Sequence, residues 1–180
     1  MVNNTAKRAA LSIALVGIMA ATLECGKLAL SAIPNVEVVT LLCALYGYSF
    51  GALGILASIV FVCIEPIIWG VGPWIVSYLI YWPLVTFIFM IFGRIKIKNR
   101  IIITLTAVTL SAFFGILTSL VDLGLFSGNF DNFLSRFFIY YARGIYFYLA
   151  QIITNAVLFP VLFKPLTEAI GRIARKTVYK

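Results

Sequence analysis

Long apolar blocks separated by short charged clusters dominate the chain. The blocks cover residues 9–32 (interrupted late by Glu24 and Lys27), 38–64, 66–93, 101–121 and 144–163. A helix needs about 20 apolar residues to cross a bilayer core about 30 Å thick. The first, fourth and fifth blocks each predict one such helix. The third predicts one helix from Trp74, because Pro and Gly residues between 65 and 73 interrupt it.

The block at residues 38–64 allows two interpretations. One helix would be about 40 Å long, which requires strong tilt, whereas two short helices could meet near residues 48–51. Basic residues cluster at 7–8, 94–100 and 172–180. Only the split places all three clusters on one side, as the positive-inside rule favours. The sequence therefore predicts an all-α integral membrane protein with six transmembrane helices and both termini cytoplasmic. The predicted helices are 9–32, 37–49, 51–64, 74–93, 101–122 and 133–163, followed by a basic cytoplasmic tail at 164–180, in a single domain.

The amino-acid composition excludes several classes of protein. Hydrophobic residues make up 63% of the 180 residues and charged residues 11%, against about 25% charged in a soluble domain. This excludes a soluble enzyme, a disordered chain and a secreted disulfide scaffold. The net charge of +8 fits basic cytoplasmic loops better than nucleic-acid binding. The chain has no His, no P-loop and no hydrolase motif, so we expect no enzyme activity, no cofactor and no metal site.

One face of the first helix is made of small residues. Ala10, Ala14, Gly17 and Ala21 recur at steps of four, three and four, which places them on a single helix face. Small residues let another helix approach closely in lipid. Two interpretations remain open, docking to a separate membrane partner and packing within the chain's own bundle.

The segment from Glu24 to Glu37 combines charge with a helix break. Glu24 and Lys27 are three residues apart and can pair on neighbouring helical positions. The helix is predicted to stop at Pro34, beside Asn35 and Glu37. Glu37 can cap the next helix, where the helix dipole favours a carboxylate. Alternatively, this irregular segment at the outer membrane face binds a polar ligand.

The last helix has a polar and aromatic stripe, at Arg136, Tyr140, Arg143, Phe147, Gln151 and Asn155. Ionisable groups inside a membrane usually face a cavity, although these arginines could instead reach the interface or pair with nearby Asp residues. Tyr and Trp residues around the fourth helix form either an interfacial belt or a wall for a planar ligand. We predict a substrate site, with Arg143 the most important residue, lined by Asn35, Glu37, Trp69, Tyr78, Trp82, Arg143, Gln151 and Asn155.

These features together resemble a known family. The small-residue sequence Ala10-Leu-Ser-Ile-Ala14, the helix break at residues 33–40 and the short helices meeting near 46–51 resemble the substrate-binding S component of an energy-coupling factor transporter. The resemblance implies that the first helix docks through Ala10, Ala14, Gly17 and Ala21 on a transmembrane scaffold subunit, which is coupled to two cytoplasmic ATPases. It implies uptake of a vitamin or related micronutrient across a bacterial cell membrane, with the substrate bound at the outer face.

Two other classes of protein remain open. Some membrane scaffolds that determine cell shape resemble the same six-helix fold and bind no small molecule, and fold alone does not decide function. A small membrane enzyme is the third class, although no catalytic cluster is visible. The substrate, its affinity and the choice between a dedicated and a shared ATPase module do not follow from the residues.

Overall fold

The computed structural model describes residues 4–33, 36–126 and 131–177. The described residues form helices and contain no strand, which confirms the predicted all-α class and the number of helices. The helices are α1 (Asn4–Leu30), α2 (Val39–Phe50), α3 (Ala52–Trp69), α4 (Trp74–Arg94), α5 (Arg100–Val121) and α6 (Phe133–Thr177), and a π-helical turn, Asp122–Phe126, continues α5.

Apolar length indicates a multi-pass membrane protein. Among the described residues, 5 helical stretches are long and apolar enough to cross a membrane. The sixth helix, α2, has 12 residues and is shorter than the about 17 residues that a spanning helix needs. The five stretches are Thr5–Leu30, Ala52–Trp69, Trp74–Arg94, Arg100–Leu125 and Phe133–Arg172.

Contacts between helices define two ends of the bundle. At one end, Lys27 near the end of α1 pairs with Glu65 near the end of α3. At the other, the Tyr48 hydroxyl of α2 donates to the carbonyl of Ile97, in the loop between α4 and α5. We call these the Glu37 end and the Lys98 end, after residues in the segments 31–38 and 95–99. Helix α1 starts and α6 finishes at the Lys98 end, so the described chain begins and ends on the same side as the loop after α4.

The predicted split of the block at residues 38–64 is present. Helix α2 ends at Phe50 and α3 begins at Ala52, with Gly51 at φ 62° between them. This left-handed backbone conformation is one that glycine adopts without steric cost. Gly47 on α2 lies directly against α4, because a Cβ atom there would be 2.1 Å from the carbonyl oxygen of Thr86. The short helix α2 is therefore held in the centre of the bundle by close backbone contact.

Two helices extend beyond their predicted ends. Helix α3 continues through Pro66 to Trp69, although the sequence predicts a loop from Glu65. Proline removes a single N–H donor in this last turn, and Glu65 in the same turn is held by its ion pair with Lys27. Helix α6 runs to Thr177, where a tail is predicted from residue 164. Its backbone stays helical past Pro165, because the residues that follow include good helix formers.

Candidate functional site

A cavity of about 190 Å³ opens at the Glu37 end of the bundle. It lies beside the irregular segment between α1 and α2, where the chain supplies Lys27, Leu30, Ser31, Ile33, Val36 and Glu37. Helices α2 to α6 supply the remaining lining residues, which are Val39, Trp69, Tyr78, Trp82, Phe114 and Gln151. All the helices of the bundle therefore contribute to one cavity.

The carboxylate of Glu37 is the most extensively hydrogen-bonded group at this cavity. Its Oε2 accepts from the backbone N–H of Thr40 at 2.8 Å, and its Oε1 accepts from the Thr40 hydroxyl at 2.6 Å. The first N–H groups of a helix have no partner within the helix, and Val38 provides no side-chain cap. Glu37 takes this role for α2, which confirms the capping interpretation.

The same carboxylate joins α6 to the start of α2. The side-chain amide of Asn155 donates to Glu37 Oε1 at 3.1 Å, and that of Gln151 donates at 3.4 Å. Gln151 and Asn155 are four residues apart and therefore share a helix face. Asn155 also donates to the hydroxyl of Ser111 on α5 at 2.9 Å. One network of polar side chains thus links three parts of the chain below the cavity.

An aromatic wall closes the α4 side of the cavity. The rings of Trp74 and Tyr78 are 5.1 Å apart, those of Tyr78 and Trp82 are 5.5 Å apart, and Phe114 of α5 stacks on Trp82. The three α4 residues are four positions apart, so they lie on one helix face. Trp82 is 4% exposed, and its indole N–H has no hydrogen-bond partner among the described residues.

Lys27 is a cavity residue that the predicted site omits. Its ammonium nitrogen lies 5.0 Å from the ring centres of Trp69 and Tyr78 and 5.8 Å from that of Trp74. Its ion pair is with Glu65, a fully buried residue of α3, instead of with Glu24 on its own helix. Sequence spacing shows only neighbours within one helix, whereas the packing of α3 on α1 supplies the closer carboxylate.

Glu24 does not form the predicted pair with Lys27. It is 7% exposed, and neither of its carboxyl oxygens has a hydrogen-bond partner among the described residues. Its carboxyl group is close enough to that of Glu65 to interact with it electrostatically. Neither Glu24 nor Glu65 is among the residues that line the cavity, whose lining includes one carboxyl group, that of Glu37.

The structure brings together most of the predicted site residues. Those that line the cavity are Glu37, Trp69, Tyr78, Trp82 and Gln151, and Asn155 lies directly behind them, bonded to Glu37. Arg143 does not line the cavity. It is exposed on α6, with its guanidinium 6.0 Å from the ring of Tyr140. Asn35 lies outside the described residues.

The length of α6 explains the position of Arg143. This residue precedes Gln151 by eight positions, or about 12 Å along a helix. The N-terminal part of the predicted stripe therefore extends beyond the cavity. Lys27 could have been found from the sequence, because a lysine in an apolar helix needs a partner. Phe114 lies in an uncharged, mainly apolar block and has no comparable signal.

The small-residue face of α1 is exposed. Ala10, Ala14, Gly17 and Ala21 are all exposed, and a Cβ atom at Gly17 would meet nothing within 4 Å. The buried side of α1 is formed by other residues, including Met19, Ala20 and Leu23. Within the described part of the chain, this face is therefore not used for internal packing.

Comparisons with protein-family models, with curated proteins and with solved structures give no match for this chain.

Proposed function

We propose that this protein is the substrate-binding S component of an energy-coupling factor transporter in a bacterial cell membrane. The observation that supports this most directly is the cavity at the Glu37 end, which combines an aromatic wall with a few convergent polar groups. Binding sites for small molecules usually have this composition. In this proposal the cavity binds a vitamin or related micronutrient, and the protein itself catalyses no reaction.

The size of the cavity restricts the substrate. Pockets for drug-sized ligands measure about 300–1,000 Å³, whereas this cavity measures about 190 Å³. The proposed substrate is therefore a compact molecule at the small end of the micronutrient range.

The exposed small-residue face of α1 supports the proposal that the protein has a membrane partner. Small exposed residues at helical spacing allow close approach of another transmembrane helix, and no described part of the chain covers Ala14 or Gly17. We propose that this face docks on a transmembrane scaffold subunit. Two ATPase subunits bound to that scaffold would supply the energy for transport.

The charge distribution supports one orientation. The loop Arg94–Arg100 and the ends of the chain near Lys7 and Arg172 are basic, and they lie at the Lys98 end. Because cytoplasmic loops are enriched in Lys and Arg, we propose that the Lys98 end is cytoplasmic. The cavity at the Glu37 end then faces the outside, where a substrate for uptake arrives.

Mass spectrometry of the purified protein tests the proposed function. The protein is purified in mild detergent, without the scaffold, from cells grown in complete medium, and is then analysed under native conditions. We expect a bound small molecule in wild type and its loss in Trp82→Ala, which removes much of the aromatic wall. A cell-shape scaffold would carry no such molecule, and its consistent absence would contradict the proposal.

A second experiment tests docking. Ala14→Leu should abolish co-purification with a complete module of scaffold and ATPases, because the larger side chain prevents close helix approach. The control is Ala9→Leu, at an exposed alanine outside the small-residue face. Small-molecule binding by the isolated Ala14→Leu protein should be unchanged, since the cavity is at the opposite end of α1. Loss of docking in both variants, or in neither, would contradict the assignment of this face.

A further inference from the structure

A second cavity, of about 360 Å³, opens at the Lys98 end of the bundle. It is larger than the cavity at the Glu37 end, and its size lies in the range of small-molecule sites, about 300–1,000 Å³. Its apolar and aromatic lining residues are Tyr48, Ile97, Ile103 and Phe163. The proposed substrate site does not use this cavity, because the two lie at opposite ends of the bundle.

The hydrogen-bond donors that remain free in this cavity are two ammonium groups. The lining hydroxyl groups of Tyr48 and Thr167 already donate to backbone carbonyl groups, at 3.0 and 2.7 Å. Lys98 and Lys164 also line the cavity, and both are exposed. Neither forms an ion pair within the part of the chain that the structure describes. A ligand that satisfies these two donors has to supply acceptor oxygens with negative charge.

One acidic residue, Glu168, lines the same cavity. It follows Lys164 by one helical turn, and a lysine that precedes a glutamate is the less favourable order for an ion pair on a helix. The segments 94–100 and 164–172 together contain six basic residues and this one acidic residue. The surroundings of the cavity are therefore positive in spite of Glu168.

The cavity lies at the boundary between apolar and charged sequence on two helices. The uncharged stretch 101–121 begins directly after the basic loop, and the uncharged stretch 144–163 ends directly before Lys164. Ile103 and Phe163 therefore lie just inside the apolar spans, whereas both lining lysines lie just outside them. Because an apolar span matches the hydrocarbon core of the bilayer, the cavity is level with the lipid headgroups.

We propose that this cavity binds the phosphate group of an anionic phospholipid. The phosphate oxygens accept from Lys98 and Lys164, and the first acyl carbons pack against Ile103 and Phe163. Basic pockets between transmembrane helices bind acidic lipid headgroups in this way. The site goes beyond the proposed function and does not depend on it, since a transporter subunit and a membrane scaffold are equally surrounded by lipid.

Native mass spectrometry of the delipidated full chain in mild detergent tests this site. Phosphatidylglycerol is anionic, whereas phosphatidylcholine with the same acyl chains carries an ammonium group that balances its phosphate. We expect phosphatidylglycerol to bind at least tenfold more tightly than phosphatidylcholine. Inorganic phosphate is the third probe, and at millimolar concentration it should displace no phosphatidylglycerol, because it lacks the chains that pack on the apolar lining.

Each other outcome of the probe series would overturn the proposal. Equal binding of the two phospholipids would mean that the lysines select no anionic headgroup. Displacement of phosphatidylglycerol by inorganic phosphate would make the cavity a site for free anions instead of lipid. If no lipid remains bound to the protein, the cavity is not a lipid site, and a protein partner becomes the better candidate for its occupant.

Charge variants test whether binding occurs at this cavity. Lys98→Gln and Lys164→Gln should each weaken phosphatidylglycerol binding about fivefold, which is the contribution of one basic residue at an anionic surface. Glu168→Gln removes the negative charge and should strengthen binding at least twofold. All these side chains are exposed, so the substitutions leave the packing of the helices intact.

The matched control is Lys7→Gln. Lys7 is an exposed lysine near the start of α1, at the same end of the bundle and outside the cavity lining. Its substitution removes the same charge and should leave phosphatidylglycerol binding within twofold of wild type. Equal weakening by Lys7→Gln and Lys98→Gln would mean that the overall basic charge of this end attracts lipid, and the assignment of the cavity would be wrong.

Discussion

At the scale of single residues, Asn155 connects three parts of the chain behind the cavity. Its side-chain nitrogen donates to Glu37 and to Ser111, and the residue is fully buried. It therefore connects α6 with α5 and with the segment before α2. Such an amide positions the Glu37 carboxylate without touching a ligand itself, since Asn155 does not line the cavity.

Substitution of Asn155 should lower stability. Interhelical hydrogen bonds in membrane proteins contribute about 0.6 kcal/mol on average and at most about 1.7 kcal/mol. Asn155→Ala removes two of them and should lower the free energy of unfolding by about 1–3 kcal/mol, measured by unfolding in mixed micelles. The control is Thr154→Ala, at the neighbouring position. Equal destabilisation by the two substitutions would mean that the amide network contributes no specific stability.

Arg143 is the residue at which the sequence prediction and the observed cavity disagree. The sequence ranks this arginine first in the site, whereas the structure places it on the exposed side of α6, outside the lining. We therefore expect Arg143→Ala to retain the small molecule that co-purifies with the wild-type protein and Gln151→Ala to lose at least part of it, because Gln151 lines the cavity. Native mass spectrometry measures both. Loss of the molecule in Arg143→Ala would show that the sequence prediction is the better one.

At the scale of helices, close backbone contacts hold α2 in place. A Cβ atom on Gly47 would lie 2.1 Å from the Thr86 carbonyl oxygen, and one on Gly93 would lie 2.2 Å from that of Tyr48. Both glycines bring α2 and α4 together, which places Glu37 and Val39 beside the aromatic wall of α4. Helix α2 is too short to span a membrane alone, so its position depends on these contacts.

Alanine substitutions at two glycines test this packing. Gly47→Ala overfills the α2–α4 contact and should cost about 1–3 kcal/mol of stability, as overpacking usually does. Gly17→Ala is the matched control, because nothing lies within 4 Å of a Cβ atom there. It should leave stability unchanged or raise it slightly, since alanine favours helix over glycine. A destabilised Gly17→Ala protein with a stable Gly47→Ala protein would contradict the described packing.

At the scale of the whole molecule, the six helices place the cavity and most of the basic residues at opposite ends. The segments at the Glu37 end include Glu37 and Glu65, whereas the loop at the Lys98 end includes Lys96 and Lys98. This separation follows from the even number of helices before the loop at residues 95–99. It makes the orientation in the membrane testable at single positions.

Cysteine labelling tests the proposed orientation. The native Cys25, Cys43 and Cys63 are first replaced by alanine. A membrane-impermeant maleimide should then label Val71→Cys in intact cells, because this residue is 88% exposed at the Glu37 end. The same reagent should label Asn99→Cys only after the cells are opened. Labelling of Asn99→Cys in intact cells would reverse the orientation and place the cavity on the cytoplasmic side.

The sequence by itself determined the helices and much of the site. Apolar length, helix breakers and basic clusters are local properties, so they predicted six helices and the turn between α2 and α3. The spacing of Gln151 and Asn155 on one helix face was likewise visible, as was the capping role of Glu37. These features depend on residues within a few turns of one another.

Only the tertiary structure decided which helices face one another. Lys27 pairs with Glu65, 38 positions away in the chain, and not with Glu24, three positions away on its own helix. Arg143 lies beyond the cavity because α6 continues past the neighbouring helices. In an apolar helix the periodicity is weak, since most positions are apolar on every side. The direction in which a charged side chain points is then set by packing between helices, which no local pattern contains.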